Sequence, residues 1–323
     1  LRLITEHPIK SGRLTFGAEM QQGGSHIRLF QNNSGVRGNL TSDAKAPVAT
    51  RMAFTQADFD LPHGFFLTAG FSLNQYVNRF NQSVPQTFDD RQRSVVVPVP
   101  RIAMSKKAGR HFTFYGNAGQ GYSPPTTAEI FPSTASYNKD LRAEVGTSSE
   151  AGVRWNAGPF SGQLLTYHLS VRNTIVVTRD QSGADYFFNS GRTLQRGTEA
   201  NFSWQPRWEQ TKLRVWASYS EYSFVRYIRN NVDYSGKQLT GTPADVAVAG
   251  IDFTPLRGFY SNLTATYNSR LPLDDGNTVW APEYYVYSCR VGWHGRLGKL
   301  PVDIFAGAEN LLDRRYSLGN DLN

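Results

Sequence analysis

The chain contains few of the residues on which several common protein classes depend. Of its 323 residues, one is cysteine, three are methionine and six are histidine. A single cysteine excludes a disulfide framework and a thiolate metal cluster, and the scattered histidines form no pair at metal-ligand spacing. No run of about 18 apolar residues occurs, which excludes a helical membrane span. A transmembrane β-strand remains open, because it needs only about 9–11 alternating residues.

The charge of the chain does not favour a role in nucleic-acid binding. Lysine and arginine total 34 against 26 acidic residues, which gives a net charge of +8. The basic residues are spread along the chain, and neither a dense basic stripe nor an RNP-like motif is present. Nucleic acid is therefore not an expected partner. Most of this charge is expected on solvated surface, with an anionic ligand or a lipid phosphate left open.

Glycine and aromatic residues are abundant instead, with 29 Gly, 20 Phe, 16 Tyr and 6 Trp. The main pattern is period-two alternation, which indicates strands with one apolar face. It predicts about fourteen strands, many of them about twice the usual length of ~5–6 residues. The clearest segments are 65–73, 151–155, 165–171, 198–204, 263–267 and 285–293. In segment 165–171, the predicted apolar face consists of Leu165, Tyr167, Leu169 and Val171.

The predicted connections alternate between short turns and long loops. Outer-membrane barrels have this arrangement, with short turns on the periplasmic side and long loops outside. Tryptophan and phenylalanine flank the short turns, as in an interfacial aromatic girdle; the alternative is that they are core aromatics of a soluble β protein. The predicted long loops are residues 22–46, 78–94, 122–145, 172–191, 223–243 and 269–283. The flanking aromatics are Trp155, Phe160, Trp204, Trp208, Phe253, Phe259 and Trp293.

The two ends of the chain suggest an incomplete barrel. The last predicted strand covers about residues 300–310 and is followed by a loop to residue 323. An unpaired strand edge in lipid would leave backbone groups without hydrogen bonds, so a further strand is expected after this one. Residues 1–6 enter a short turn near residues 10–13, so upstream strands are expected as well. Leu1 is not an initiator methionine, and no signal peptide is present, so the chain is expected to be processed or cut from something longer.

Four motifs, in order along the chain, resemble those of TonB-dependent outer-membrane receptors. The resemblance implies an antiparallel transmembrane β-barrel of about 22 strands. Residues 1–323 would then be the C-terminal portion of that barrel, incomplete at both ends, without the plug domain and the final strand. The motifs are Gly-Gln-Gly-Tyr-Ser-Pro-Pro at 119–125 with Glu129, Asp-Leu-Arg-Ala-Glu at 140–144 followed by Glu150 and Arg154, Phe-Asn-Ser-Gly at 188–191 followed by Gly197 and Glu199, and Asn-Leu-Leu-Asp-Arg-Arg-Tyr at 310–316.

The resemblance further implies energised uptake of a scarce ligand, such as a ferric siderophore or another iron chelate. Its partners would be this ligand, the TonB complex acting through the plug, and outer-membrane lipid. Arginine supplies bidentate contacts to carboxylates and tyrosine supplies stacking surface. The candidate ligand-binding residues, all in predicted extracellular loops, are Arg79, Tyr137, Tyr186, Arg226, Tyr227, Arg229 and Tyr234. The motif residues themselves are expected to serve folding more than ligand contact.

Three alternative functions remain at this point. A passive porin or a glycan-nutrient receptor could use the same architecture. An outer-membrane enzyme would need a catalytic group held by a partner. His168 and Glu199 are candidates on the water-filled side, but no spacing in the sequence supplies an orienting residue. No catalytic residue, metal ligand or cofactor is therefore predicted.

Overall fold

The protein is an all-β chain. The computed structural model describes residues 1–93, 96–131, 138–179, 185–206, 211–229, 232–254 and 258–319. Within these ranges, no helix combines the length and the apolar character needed to cross a membrane. One short helix, α1 (Thr127–Ile130), and one 3-10 turn (Pro62–Gly64) are present among the strands.

Fifteen strands form one sheet in which neighbours in space are mostly neighbours in sequence. The order is β1-β2-β3-β4-β6-β7-β8-β9-β12-β13-β16-β17-β20-β21, and β5 pairs with β4. These fourteen consecutive strands confirm the predicted number. The strands are β1 (Arg2–Ile9), β2 (Gly12–Asn33), β3 (Val36–Leu61), β4 (Phe65–Val84), β5 (Phe88–Arg93), β6 (Val97–Ala108), β7 (Phe112–Ser123), β8 (Glu144–Ala157), β9 (Phe160–Arg172), β10 (Ile175–Arg179), β11 (Asp185–Asn189), β12 (Arg192–Trp204), β13 (Thr211–Arg226), β14 (Ile228–Arg229), β15 (Val232–Asp233), β16 (Asp245–Phe253), β17 (Phe259–Asn268), β18 (Leu271–Pro272), β19 (Trp280–Ala281), β20 (Tyr284–Leu297) and β21 (Leu300–Ala308).

Several predicted long loops contain paired strands. Residues 22–46, predicted to be a loop, continue β2 and β3 as a two-stranded ribbon that turns at Ser34 and Gly35, both with positive φ. Smaller hairpins, β10–β11, β14–β15 and β18–β19, lie within three other predicted loops. Apolar alternation predicts only the part of a strand that has an apolar face. Backbone hydrogen bonding between strands needs no apolar face, so the strands extend beyond the end of the alternation.

The chain divides into two compact units, and the first comprises residues 1–104, 117–148 and 170–192. Its buried cluster contains Ala44 and Ala46 of β3, Phe80 of β4 and Phe131, which follows α1. The rings of Phe80 and Phe131 lie 4.8 Å apart between centroids. This cluster packs the extended part of the β2–β3 ribbon against the segment after β7.

The sheet of the first unit has two chemically different faces. Phe16, Phe71 and Leu73 lie on one face and are each more than 40% exposed. Asp58 lies on the other, where its carboxylate accepts hydrogen bonds from Gln56 and Thr68. Exposed apolar side chains on one face of a long-stranded sheet are typical of a surface that contacts lipid.

The second unit comprises residues 105–116, 149–169 and 193–323 and has the same division. Ile251 of β16 is paired with Leu263 of β17, and both are about 45% exposed. On the opposite face, the carboxylate of Asp252 forms an ion pair with the guanidinium of Arg214 at 2.7 Å. It also accepts a hydrogen bond from the side-chain amide of Asn262. Phe160, Phe253 and Phe259, beside the short turns, are exposed on the apolar face, which contradicts the alternative that they form a soluble core. Trp208 lies outside the described residues.

The predicted face of β9 is wrong. The Tyr167 hydroxyl lies 3.0 Å from the Ser220 hydroxyl and 2.9 Å from that of Tyr222, on the polar face. A Cβ at Gly162 would meet the ring of Trp155, so the even-numbered residues of β9 lie on the apolar face. Leu165, Leu169 and Val171 therefore lie on the polar side.

Because the faces of β9 are reversed, His168 does not lie on the predicted water-filled side. It lies with Leu164 on the apolar side and away from Glu199, whose charge acts on the Tyr167 hydroxyl across the polar face. Because Leu164 and Leu165 are adjacent, an apolar face made of the even-numbered residues and one made of the odd-numbered residues both fit the sequence. Contacts with the neighbouring strands show that the even-numbered residues form the apolar face.

Candidate ligand-binding site

Two loops of the second unit, residues 223–243 and 269–283, are joined through one carboxylate. Asp275 of the second loop accepts hydrogen bonds from the Tyr227 hydroxyl at 2.9 Å and from the Thr240 hydroxyl at 2.7 Å. The guanidinium of Arg229 forms an ion pair with it at 3.2 Å. All three partners lie in the first loop, so Asp275 fixes one loop against the other.

Tyr227 is the centre of this junction and is fully buried. Its ring lies 4.5 Å from that of Phe224 and 5.3 Å from that of Tyr234, between centroids. Its backbone N–H donates to the Ser235 hydroxyl. Burial, followed by the charge of Asp275, raises the pKa of the Tyr227 hydroxyl well above its usual value. The hydroxyl is therefore a hydrogen-bond donor at every physiological pH.

The second loop is ordered by the neighbouring Asp274. Its carboxylate accepts hydrogen bonds from the backbone N–H groups of Thr278 and Val279, at 2.8 and 2.7 Å, and from the Thr278 hydroxyl at 2.8 Å. Burial tends to raise the pKa of Asp274, but these bonds outweigh it and lower the pKa below its ordinary value. Asn277 exchanges two further hydrogen bonds with the backbone of Gln238, which adds a second link between the loops.

Two cation–aromatic pairs lie on these joined loops. The guanidinium of Arg229 lies 5.4 Å from the ring centroid of Tyr234, and that of Arg270 lies 4.7 Å from that of Trp280. Tyr234 and Trp280 are partly exposed and Arg270 is exposed. We call these four residues the cation–aromatic surface. It offers positive charge and flat ring area together, which suits an anionic ligand with aromatic groups.

A second loop region, in the first unit, is held by motif residues. The Asn189 side-chain amide accepts a hydrogen bond from Arg142 N–H at 2.8 Å and donates to the carbonyls of Arg142 and Asn173. Glu144 accepts a hydrogen bond from the N–H of Ile175. The motif at 140–144 and the motif at 188–191 therefore bind each other. Tyr186 is exposed and lines an open pocket of about 370 Å³ beside them.

The Pro-Pro motif also has a structural role. Thr126 and Glu129 form a capping box at the start of α1, in which each side chain bonds the backbone N–H of the other residue. The helix turns Ile130 into the interior, where it is 2% exposed. These contacts account for the acidic residue of the motif without a ligand.

The structure brings three of the seven predicted ligand-binding residues together. Tyr227, Arg229 and Tyr234 form one contact group, with Tyr227 buried as the group's internal anchor. Arg226 is exposed on the adjoining end of β13. Tyr186 and Arg79 belong to the first unit, and Tyr137 lies outside the described residues.

Asp275, Arg270 and Trp280 are functional candidates that the sequence does not predict. The Asp-Asp-Gly-Asn sequence at 274–277 signals a turn, but its contact with Tyr227 depends on two loops that are distant in sequence. In the part of the chain that is described, no three His, Cys, Asp or Glu side chains are grouped so as to hold a metal ion.

Solved structures with the same fold include several transporters. The unliganded ferric citrate transporter FecA has 15% identity and a TM-score of 0.80, over 98% of this chain and 49% of FecA. The copper transporter OprC has 15% identity and a TM-score of 0.79, over 98% and 51%. The ferric yersiniabactin uptake receptor FyuA from Yersinia pestis has 16% identity and a TM-score of 0.73, over 98% and 49%. The chain thus spans about half the length of these structures, and at this identity the likeness shows the fold alone.

A family profile described as "TonB dependent receptor-like, beta-barrel" matches residues 4–311. The match covers the described sheet from β1 to β21. The chain therefore belongs to the TonB-dependent receptor β-barrel family of the Gram-negative outer membrane.

Proposed function

We propose that the protein takes up a ferric siderophore or another iron chelate across the outer membrane, driven by the TonB complex through a plug domain. The observation that carries the proposal is the cation–aromatic surface on the two loops joined by Asp275. Arg226, which is exposed at the end of β13 immediately before Tyr227, is a further cation of the same loop.

The chemistry of such chelates fits these side chains. Carboxylate and catecholate chelates of Fe(III) are anionic, and many contain aromatic rings. Arginine can bind their oxygens bidentately, and Tyr234 and Trp280 offer stacking area on the two joined loops. The hydrogen bonds of Asp274 and Asp275 hold the two loops, and with them the arginine and aromatic side chains, in position before a ligand binds. This lowers the entropic cost of binding.

The names of the structural neighbours support the same ligand class. FecA is a ferric citrate transporter and FyuA a ferric yersiniabactin receptor. OprC, a copper transporter, has nearly the same TM-score as FecA, so copper uptake is the second candidate.

Ligand binding by the purified full-length receptor tests the proposal. Ferric citrate, a ferric catecholate and Cu(II) would be titrated separately by calorimetry. We expect one ferric chelate to bind, and the double variant Arg226→Gln/Arg270→Gln to weaken it at least tenfold, because each arginine contact to a charged group is worth about 1.5–3 kcal/mol. The matched control Arg296→Gln removes an exposed charge at the opposite, short-turn end of β20 and should bind normally. Binding of Cu(II) alone would favour the second candidate.

Growth under iron starvation tests energised uptake. Deleting the gene should slow growth on the bound chelate as the sole iron source, and deleting TonB should have the same effect. Growth that depends on the gene but not on TonB would indicate passive diffusion. A growth defect on oligosaccharides, with normal iron uptake, would indicate the glycan-receptor alternative.

A further inference from the structure

A cluster of basic side chains lies on β3, β4 and β5 of the first unit. Arg79 of β4 is directly opposite Arg91 of β5. Arg51 and Lys45 of β3 are opposite Gln75 and Asn81 of β4, so all four side chains share one face of this sheet. All four are exposed. We call them the basic cluster.

The cluster is not neutralised within the described part of the chain. None of its four side chains forms an ion pair or side-chain hydrogen bond among these residues. Two carboxylates share the face: that of Asp89, which is exposed and opposite Asn81, and that of Asp43 in β3, which is paired with His26. Like charges placed directly opposite across two strands are destabilising. An anionic partner bound at Arg79 and Arg91 would therefore relieve the repulsion between these two side chains.

The cluster begins where the apolar face of the same strands ends. Phe71 and Leu73 of β4 are exposed on this face, and Gln75, the buried Val77 and the exposed Arg79 follow on it at period two. Phe80, the next residue, points to the other side and into the buried cluster. From Phe65 to Gln75 the strand rises about 33 Å, or about 25 Å along the membrane normal at the usual tilt, which is the height of the apolar band. Arg51, opposite Gln75, lies at the upper edge of this band, and Arg79 lies four residues beyond it.

We propose that the basic cluster binds the phosphate groups of an anionic glycolipid in the outer leaflet of the membrane. Its position supports a membrane lipid rather than a diffusing anion, because the arginines continue the lipid-facing surface instead of the cation–aromatic surface. Long arginine and lysine side chains can keep their charge in the headgroup layer while their stems cover apolar surface. Arg79, predicted from sequence to contact an iron chelate, is assigned to lipid here.

Native mass spectrometry of the full-length receptor in neutral detergent tests this assignment, with bisphosphorylated lipid A as the probe and phosphatidylcholine as the neutral comparison. Each basic residue near an anionic surface contributes about a fivefold change in affinity. The variant Arg79→Gln/Arg91→Gln should therefore bind lipid A about 30-fold more weakly, with phosphatidylcholine unaffected. The control Lys107→Gln/Arg110→Gln removes two exposed charges at the short turn after β6 and should bind lipid A normally.

A third variant keeps the test valid if the double variant fails to fold. Asp89→Asn removes the carboxylate nearest the Arg79–Arg91 pair on this face and should tighten lipid A binding severalfold. Equal lipid A binding by the receptor and by both cluster variants would overturn the proposal. Displacement of lipid A by millimolar inorganic phosphate would overturn it as well, because it would indicate a site for a free anion.

Discussion

Replacing Asp275 with alanine should release the two ligand-binding loops from each other. The change leaves the hydroxyl of Tyr227, which is fully buried, without its partner, at a cost of about 1–3 kcal/mol. It also removes a charge-assisted bond to Arg229, worth about 1.5–3 kcal/mol. The side chains of Arg229 and Asp275 are 28% and 20% exposed, so solvent screens this pair only in part.

Together these losses amount to about 2.5–6 kcal/mol of local stability. Each 1.4 kcal/mol is about tenfold in an equilibrium constant, so loop opening should become at least ~60-fold more frequent. Hydrogen exchange with mass spectrometry measures this directly. Amides in residues 223–229, 232–243 and 269–283 should all exchange faster, while those of β16 and β17 stay protected.

Two variants make the test specific to the carboxylate. Tyr227→Phe removes one of three donors and should accelerate exchange about fivefold, as expected for a bond worth about 1 kcal/mol. Asp233→Asn keeps an acceptor for the N–H of Ser235 and should leave exchange unchanged. Faster exchange in only one of the two loops of Asp275→Ala would refute the reasoning, because it would show that Asp275 does not join them.

Three further predictions concern stability. Asp274, whose pKa is lowered in the folded loop, contributes stability above its unfolded pKa that is lost as the pH falls through the folded value; the hydrogen-exchange protection of the amides in 269–283 should therefore fall only below about pH 4, and Asp274→Asn should remove this dependence. Gly258 and Gly298 both have positive φ, but a Cβ at Gly258 would strike the partner strand's backbone whereas one at Gly298 meets open space; in urea titrations, Gly298→Ala should cost about 1 kcal/mol and Gly258→Ala distinctly more. Leu263→Arg on the apolar face should lower the stability of the folded receptor in lipid by about 2–4 kcal/mol, and an equal loss for Thr264→Arg on the polar face would contradict the assignment of faces.

Much of the sheet could be predicted from the sequence because alternation reports which side of a strand is apolar. Segments 198–204 and 263–267 were assigned correctly, as the exposed Phe202 and Leu263 show. Segment 165–171 was assigned the wrong way round, because Leu164 and Leu165 satisfy both phases. The contact of Tyr167 with Ser220 and Tyr222 and the approach of Trp155 to Gly162 resolve the choice.

Less of the candidate site than of the sheet could be predicted from the sequence. The capping box of Thr126 and Glu129 follows a local rule and could have been predicted from the spacing. The link from Asp275 to Tyr227 joins residues 48 apart in sequence, and no local pattern contains it. Residue type identified Tyr227, Arg229 and Tyr234 as three of seven loop candidates, but not as a group. Burial, which sequence alone does not provide, separates the anchor Tyr227 from the exposed surface.

The orientation of β9 tests the central claim, that the apolar face contacts lipid and the polar face contacts water, most directly. Single cysteines at positions 164 and 165, in a Cys289→Ser background, would be spin-labelled in the full-length receptor in vesicles. The label at 164 should collide with oxygen, which partitions into the bilayer. The label at 165 should be shielded from oxygen. The opposite result, with oxygen reaching 165 and not 164, would contradict the account.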